Sequence, residues 1–309
     1  MTALPKIPLG DSDDAFRAAH VGASEVSALF DCSPWLTRFE LWHRKRGTIA
    51  TPDFVGDERM LWGTLLEPTI LDEACRRYGW VPVNTPKQLS NGKGFGGHPD
   101  RYVRRPSDGA VGCVEAKAVD WIQFKKWGDE PQLHYLLQPQ AYCGLGNLTW
   151  CAIVALVGGN ELKLWEFDFR SGLFVEMERR VEDFWSSVRA NDPPPPDFTR
   201  DGDTLSEVLG EPTEDVADLR HDNRADELAR EWLEAKEARD AAELRMDVAK
   251  CELMMKIGSA GRAMLGLHRI GCNQTKGSPG TLVTPEMVGT HVGARRGYRR
   301  FDVKERENG

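Results

Sequence analysis

The chain has 309 residues, of which 40% are hydrophobic and 28% are charged, and its formal net charge is −8. At about 150 residues per domain, this length predicts two units or one large domain with an extension. The composition is that of a soluble globular protein and argues against collagen-like, disordered and membrane-embedded classes. The negative net charge argues against a protein that binds nucleic acid over its whole surface. It does not exclude a local basic channel, since only charges that touch phosphates release counterions.

No segment predicts a membrane anchor or a metal–thiolate site. The longest apolar run covers 150–157, far short of the ~18 residues that span a bilayer. The first residues lack the charged and apolar regions of a signal peptide. The seven cysteines never stand in C-x-x-C spacing, so zinc and iron–sulfur sites are not expected and the protein is predicted to be reduced and cytoplasmic.

Helix and strand patterns alternate in the first 190 residues. Helical spacing predicts helices at 24–30 with Ser24 as N-cap, 61–78 ended by Gly79, 133–145 and 174–190. Strand patterns predict 95–103 broken by a turn, 111–118, and a hairpin of 149–157 with 162–169. Strands bracketed by helices predict an α/β fold with a mixed central sheet flanked by helices.

Four consecutive prolines at 193–196 mark the main boundary, because they favour an extended spacer. We therefore expect a core over 1–192, a Pro-rich and acidic, loop-like linker over 193–222, and a helical arm with a basic tail over 223–309. One long amphipathic helix is predicted over 223–257, ended by Gly258. The tail from 257 to 309 has nine Lys or Arg and four Asp or Glu, and its arginines include Arg295, Arg296, Arg299 and Arg300.

Three residues on the predicted central strands suggest a hydrolytic site. Asp100 closes one strand after Pro99, and Glu115 and Lys117 lie on the next. Residues two apart on a strand share a face, so Glu115 and Lys117 should project together toward Asp100. Two carboxylates can hold Mg²⁺, and a neighbouring lysine can orient or deprotonate a water, which is the chemistry of phosphodiester hydrolysis.

The acid-x-Lys pattern alone is weak, because it occurs four times in the chain: at 115–117, 161–163, 234–236 and 302–304. Only the pair at 115 and 117 follows both an apolar strand and a Pro-Asp turn. Glu67 lies on a predicted helix before the first of these strands and could add a carboxylate to the site. The alternative interpretation is an ordinary solvated acid on the helix surface. Tyr135 and Gln138 share one face of a predicted helix, for which ordinary helix surface is the alternative. The tryptophans at 35, 62, 121 and 127 are expected to be core residues rather than base-stacking ones.

The ordered set of motifs resembles the lambda-exonuclease and YqaJ-like viral recombinase branch of the PD-(D/E)xK nucleases, over about residues 16–190. The matching motifs are Gly22-Ala-Ser24-Glu-Val26, Ser33-Pro-Trp35, Trp62-Gly-Thr-Leu-Leu-Glu67-Pro, His98-Pro-Asp100, Val114-Glu115-Ala-Lys117 and Tyr135-Leu-Leu-Gln138-Pro-Gln140. Arg101 stands where glycine is usual, and Pro139 inside the helix casts doubt on a role for Gln140.

The resemblance implies a PD-(D/E)xK restriction-endonuclease-like core and a role for each matching residue. Asp100, Glu115 and the Ala116 carbonyl would bind Mg²⁺, with Mn²⁺ as a substitute. Lys117 would serve the nucleophilic water, and Glu67 would bind a second metal or a water on the first. Gln138 and Tyr135 would order the site. Arg17 and Ser24 would bind the DNA 5′-phosphate, although Ser24 is also explained as a simple N-cap.

The sequence thus predicts a Mg²⁺-dependent 5′→3′ exonuclease on linear double-stranded DNA ends, which leaves 3′ overhangs for phage-type recombination. The alternatives are a structure-specific or restriction-type endonuclease on the same core, and an inert adaptor that binds DNA ends. The resemblance further implies a homotrimer and a single-strand-annealing recombinase as partner, and no membrane.

Overall fold

The computed structural model describes residues 11–51, 58–85 and 88–273. The chain divides into two compact units, Met1–Gly210 and Glu211–Gly309. The arginine cluster predicted for the tail, Arg295, Arg296, Arg299 and Arg300, lies outside the described residues.

The first unit alternates helices and strands. Its helices are α1 Asp11–Ala19, α2 Val26–Leu29, α3 Arg38–Arg46, α4 Glu58–Tyr78, α5 Trp121–Phe124, α6 Leu133–Gly146, α7 Ser171–Ala190 and α8 Gly202–Leu209. Its strands are β1 Val21–Gly22, β2 Val81–Val83, β3 Leu89–Ser90, β4 Phe95–Gly97, β5 Arg101–Arg104, β6 Val111–Val119, β7 Trp150–Val157 and β8 Glu161–Asp168.

The central sheet has five strands in the order β2-β5-β6-β7-β8. β6 and β7 are parallel and are joined through α5 and α6, whereas the other pairs are antiparallel. A small sheet of β1, β4 and β3 lies beside it, and β4 leads directly into β5 through the Pro99-Asp100 turn. The predicted mixed sheet is confirmed.

Helices cover both faces of the central sheet, and successive side chains of β6 point to opposite faces. Cys113 packs with Leu137 and Ala141 of α6. Val114 packs with Ile70 and Leu71 of α4. Because side chains alternate along a strand, Glu115 and Lys117 share the α6 side with Cys113.

The predicted helices and strands match the structure where the periodic pattern of apolar residues extends over many residues. The helices near 61–78, 133–145 and 174–190, the strand at 111–118 and the hairpin are confirmed within a few residues. Gly79 ends α4 with a φ of 67°. Ser24 is not an N-cap: α2 begins at Val26, its cap is Glu25, and no cap side chain bonds the helix. Helices α1, α3 and α8 were not predicted.

The prediction that 197–222 is loop-like is only partly right, because α8 lies within this segment. Asp201 is 1% exposed, and one carboxylate oxygen accepts a 2.6 Å hydrogen bond from Thr37 Oγ1. Its other oxygen accepts from the backbone N–H of Asp197 at 2.7 Å. Thr37 also caps α3 by accepting from the N–H of Glu40 at 3.0 Å. One buried carboxylate therefore ties the chain beyond the prolines to the start of α3.

The second unit contains α9 Ala225–Ile257 and a hairpin of β9 Arg262–Met264 and β10 Arg269–Gly271. The predicted long helix is confirmed, and it ends at Gly258. None of its residues is buried, and Leu244, Met246 and Met255 are mostly exposed. Across the described ranges, every helix is too short or too polar to traverse a bilayer.

Replacing Asp201 with Ala should destabilise the first unit by about 2–3 kcal/mol, because hydrogen bonds to a buried charged group are lost. The measurement is the free energy of unfolding in denaturant, with the exposed Asp192→Ala as control, which should change it by less than about 0.5 kcal/mol. Equal effects of the two substitutions would show that the Thr37–Asp201 contact does not anchor this segment.

Candidate active site

The site forms where β5 stops pairing with β6. The last paired residues are Arg101 and Val114, and beyond them the edge of β6 is free of β5. Asp100 fills this edge, since its Oδ2 accepts a 2.8 Å hydrogen bond from the backbone N–H of Ala116. The Pro99-Asp100 turn therefore brings a carboxylate against the middle of the longest strand.

Glu115 and Lys117 project together from β6, as their spacing predicts. Lys117 Nζ lies 2.6 Å from Glu115 Oε1. Glu115 is 3% exposed. The other carboxylate oxygen, Oε2, is buried and has no hydrogen-bond partner within the described part of the chain. A buried carboxylate oxygen without a donor is rare in folded proteins and indicates a missing ligand.

Helix α6 supplies the wall opposite β6. Lys117 Nζ donates to Gln138 Oε1 at 3.1 Å, and Gln138 Nε2 donates to Tyr142 Oη at 2.9 Å. Lys117 Nζ also lies 5.9 Å from the centre of the Tyr135 ring. The structure thus places Tyr135 and Gln138 beside Lys117.

Burial sets the protonation of the two acids. Desolvation raises the pKa of Asp100 well above its usual value, and the negative charges of Glu115 and Glu67 raise it further. Desolvation also raises the pKa of Glu115, against the lowering effect of Lys117. Two neighbouring carboxylates, one buried and one half-buried, disfavour each other's ionisation, and a bound cation relieves that cost.

Lys117 keeps its proton. Burial by itself would lower its pKa, but the charges of Glu115 and Asp100 and the hydrogen bond to Glu115 outweigh that effect and raise the pKa. A protonated lysine donates hydrogen bonds and stabilises negative charge. In this state it does not accept a proton from water.

Glu67 lies on α4 and lines a cavity of about 490 Å³ together with Asp100 and Arg101. Its charge acts on both Asp100 and Glu115. Arg101, at the position where glycine was expected, bonds Asp72 of α4 at 2.6 Å. This ion pair links β5 to the helix that carries Glu67.

The donor set fits a hard divalent cation. Among the described residues, no three His, Cys, Asp or Glu side chains form a ready-made metal cage. The fit rests instead on Asp100, the orphaned Glu115 Oε2 and the Ala116 carbonyl. The N–H and C=O of a strand residue point to the same edge, so this carbonyl faces the Asp100 side. Oxygen ligands of this kind suit Mg²⁺.

Arg17 near the end of α1 and Ser24 between β1 and α2 are both exposed. Lys45 Nζ bonds both the carbonyl of Arg17 and Glu25 Oε2, each at 2.7 Å. Glu25 in turn accepts from the N–H of Gly22 at 2.7 Å. One ammonium group therefore holds the end of α1 next to the turn that presents Ser24.

Tyr142 was missed by the sequence reasoning. It is 3% exposed, bonds Gln138, and lies one helical turn beyond it on the same face. A Cβ on Gly97 would come within 2.7 Å of the Tyr142 ring, so this glycine lets the Pro99-Asp100 turn approach α6. The spacing 135, 138, 142 is a helical-face signal that would have identified Tyr142.

Two further expectations are resolved by the structure. Gln140 is buried and structural: its Nε2 donates to the Asp168 carbonyl at 2.9 Å, and its Oε1 accepts from the N–H of Arg170 at 2.8 Å. Pro139 lies within α6, and the helix continues through it. The expectation of core tryptophans is right for Trp127, at 1% exposed, and wrong for Trp35, Trp62 and Trp121, at 67%, 54% and 44%.

Residues 14–147 match the family model of the YqaJ-like viral recombinase domain. Over this range, which is less than half of the chain, the protein is similar to that family. A curated relative is the uncharacterized protein YqaJ of Bacillus subtilis (strain 168), which is 27% identical over 180 residues, or 55% of this chain and 53% of that protein. The chain thus spans about half the length of this relative.

Solved structures similar to this chain include two described as exonucleases. An alkaline exonuclease from Laribacter hongkongensis is 20% identical, with 63% of this chain and 100% of that chain covered and a TM-score of 0.48. A phage-related exonuclease from Haemophilus somnus 129PT is 14% identical, with 60% and 90% covered and a TM-score of 0.40. Likeness at this level does not assign a reaction to the chain.

Replacing Asp100 with Asn should stabilise the metal-free protein near neutral pH. The folded-state pKa of Asp100 is raised. The favourable contribution of its neutral carboxyl is therefore complete only below the unfolded pKa of about 3.9 and is lost as pH rises through the folded pKa. Asn keeps an oxygen for the Ala116 N–H and carries no charge. Tm in EDTA should rise by roughly 2–4 °C for each kcal/mol of repulsion removed.

The matched control is Asp72→Asn, since Asp72 is a mostly exposed carboxylate that faces Arg101. It should not raise Tm. Addition of Mg²⁺ should raise the Tm of the unsubstituted protein and of Asp72→Asn, but not that of Asp100→Asn. A lower metal-free Tm for Asp100→Asn would contradict the view that this carboxylate is held in an unfavourable place.

Proposed function

We propose that this chain is a Mg²⁺-dependent exonuclease that degrades linear double-stranded DNA 5′→3′ and leaves 3′ overhangs for phage-type homologous recombination. The observation that carries the proposal is the cluster of buried Glu115 with half-buried Asp100 and Lys117, in which Glu115 Oε2 accepts no hydrogen bond from any described residue. The similarity of residues 14–147 to the YqaJ-like viral recombinase domain supports it, because this region contains every residue of the set.

Asp100, Glu115 and the Ala116 carbonyl would hold the first Mg²⁺ or Mn²⁺, and Glu67 would bind a second ion or a water on the first. When bound, the metal supplies a Lewis acid that polarises the phosphodiester and lowers the pKa of a water. Protonated Lys117 stabilises the negative charge that develops on the scissile phosphate. Gln138 holds the lysine amine in position, and Tyr135 lies beside it.

Arg17 and Ser24 form the proposed 5′-phosphate site, and capture of that phosphate ahead of the scissile bond would set the polarity. What supports this proposal is that Lys45 bonds both the Arg17 carbonyl and Glu25, the residue after Ser24, and that both side chains are exposed. The proposal also includes a homotrimer that encloses DNA and a single-strand-annealing recombinase that receives the 3′ strand. Both the homotrimer and the recombinase partner are proposed from the family resemblance.

The test of the chemistry is hydrolysis of 5′-phosphorylated linear duplex DNA in Mg²⁺ or EDTA, with a label at each end to read the polarity. Glu115→Gln and Lys117→Ala should each lower the rate by at least about 100-fold, as loss of a charge-stabilising group does in other active sites. EDTA should abolish the reaction, and closed circular duplex should be resistant.

The chain offers a matched control in Glu161 and Lys163, which form the same acid-x-Lys pair on β8 but are about 40% exposed. Glu161→Gln and Lys163→Ala should retain the rate within about two-fold. Cleavage of the circle would favour an endonuclease, and a protein that binds ends without hydrolysis would favour an adaptor. Normal rates in Glu115→Gln or Lys117→Ala would refute the assignment of the site.

Arg17→Ala should reduce the preference for 5′-phosphorylated over 5′-hydroxyl ends by about 10-fold, the effect of losing one charge-assisted hydrogen bond. The measurement is the ratio of initial rates on the two ends. Arg189→Ala, an exposed arginine of α7, is the control and should leave the ratio unchanged. Equal loss on both ends would make Arg17 a general binding or folding residue.

A further inference from the structure

Trp35 is an exposed tryptophan on a rigid turn. Trp35 is 67% exposed, whereas Ser33 and Thr37 on either side of it are 5% and 8% exposed. Ser33 Oγ accepts from the N–H groups of Trp35 and Leu36 at 3.4 and 3.1 Å. Thr37 caps α3 and is bonded to Asp201. The backbone is thus held from both sides while the indole is left outside the core.

The indole stands next to the candidate active site. Its centroid is 4.9 Å from that of His134 and 5.9 Å from that of Tyr135. Lys117 Nζ is 5.9 Å from the same Tyr135 ring. The separation of Trp35 from Lys117 therefore cannot exceed twice 5.9 Å. At about 3.4 Å per stacked nucleotide, this is a reach of about three nucleotides along one strand.

The contacts of Trp35 leave its π surface available. The planes of His134 and Tyr135 meet the indole plane at 85° and 62°, so neither ring stacks flat on it. Since most of the residue is exposed, a face of the indole is open to a planar ligand. Nucleobases are such ligands, and stacking on an aromatic side chain accepts any base.

The His134 and Tyr135 rings, which contact the indole, are uncharged at neutral pH. Burial, aided by the positive charge of Lys117, lowers the pKa of His134 to about 4. A neutral His134 offers phosphate no opposite charge. The surface formed by Trp35, His134 and Tyr135 therefore suits the apolar face of a base, while Lys117 beside it suits the phosphate.

We propose that Trp35 stacks on an unpaired base of the strand being cleaved, within about three nucleotides of the scissile phosphate. This stacking would keep the end of that strand apart from its complement while the backbone lies at Lys117. The inference rests on the proposed nuclease function for its setting. The stacking itself needs no hydrolysis and can be measured without it.

The first test is equilibrium binding in EDTA, read by fluorescence anisotropy, of a 5′-phosphorylated duplex whose first 5′ nucleotides are unpaired. Trp35→Ala should weaken binding by about 5- to 100-fold, the range found for removal of one stacking side chain. Trp35→Phe should restore most of the affinity, and Trp35→Leu, which is apolar without a π face, should not.

The matched control is Trp121→Ala, since Trp121 is 44% exposed but covers Gly158 at the β7–β8 turn instead of Tyr135. It should leave affinity within about two-fold. Near-normal binding by Trp35→Ala, or equal losses for Trp35→Ala and Trp121→Ala, would overturn the proposal and leave Trp35 as a protein-contact or structural residue.

The second test identifies the base. Single abasic sites are placed in turn along the unpaired 5′ nucleotides, and binding is compared for the unsubstituted protein and Trp35→Phe or Trp35→Ala. Stacking predicts one position where loss of the base weakens binding by the unsubstituted protein but not by Trp35→Ala, because the two changes remove the same contact. Effects that multiply independently at every position would refute it.

This design separates the two proposals. Binding in EDTA that depends on Trp35, together with an absence of hydrolysis in Mg²⁺, would refute the nuclease function and retain the stacking site. Hydrolysis that is normal in rate and polarity, together with binding that is indifferent to Trp35, would do the reverse. If Trp35→Ala does not fold, the abasic scan is made with Trp35→Leu instead, and stacking predicts that loss of the base weakens binding by the unsubstituted protein but not by Trp35→Leu.

Discussion

Two carboxylates and one ammonium group, of which the Glu115 carboxylate is buried and the other two groups are half-buried, lie together at the point where β5 leaves the edge of β6, and the candidate active site depends on that grouping. Ionised acids are costly to remove from water, and a single lysine repays the cost only in part. The raised pKa values of Asp100 and Glu115 express this imbalance. Glu115 Oε2 accepts no hydrogen bond from any described residue. The proposed cation would supply positive charge at this oxygen and so relieve the imbalance.

The surrounding elements hold this grouping in place through backbone geometry and close packing. Gly97 allows the turn before Asp100 to pack against Tyr142, and Tyr142 orients Gln138. The Arg101–Asp72 ion pair joins the first residue of β5 to α4, which carries Glu67. Helices on opposite faces of the sheet thus both contribute to the site. Side chains fixed on strands and helices are positioned more rigidly than those on loops, as charge stabilisation requires.

The exposed aromatic surface beside the site has the opposite character. Trp35, His134 and Tyr135 carry no net charge at neutral pH, while Lys117 at their edge does. A nucleic acid strand has the same division, with a charged backbone and apolar base faces. The neighbouring polar and aromatic surfaces therefore match the two chemical parts of one strand.

The sequence by itself determined the local features of this protein. The period of apolar residues located α4, α6, α7 and α9, strict alternation located β6, and i, i+2 spacing put Glu115 and Lys117 on one face. Short elements such as α1, α3 and α8 escaped, because a few residues carry too little periodic signal. Only the tertiary structure decided which residues meet across the chain: that Asp100 closes the free edge of β6, that Gln140 is structural, that Trp35 stays outside the core, and that Asp201 anchors the segment after the prolines. These contacts join residues far apart in sequence, and their energies depend on burial and on partners, which no local pattern encodes.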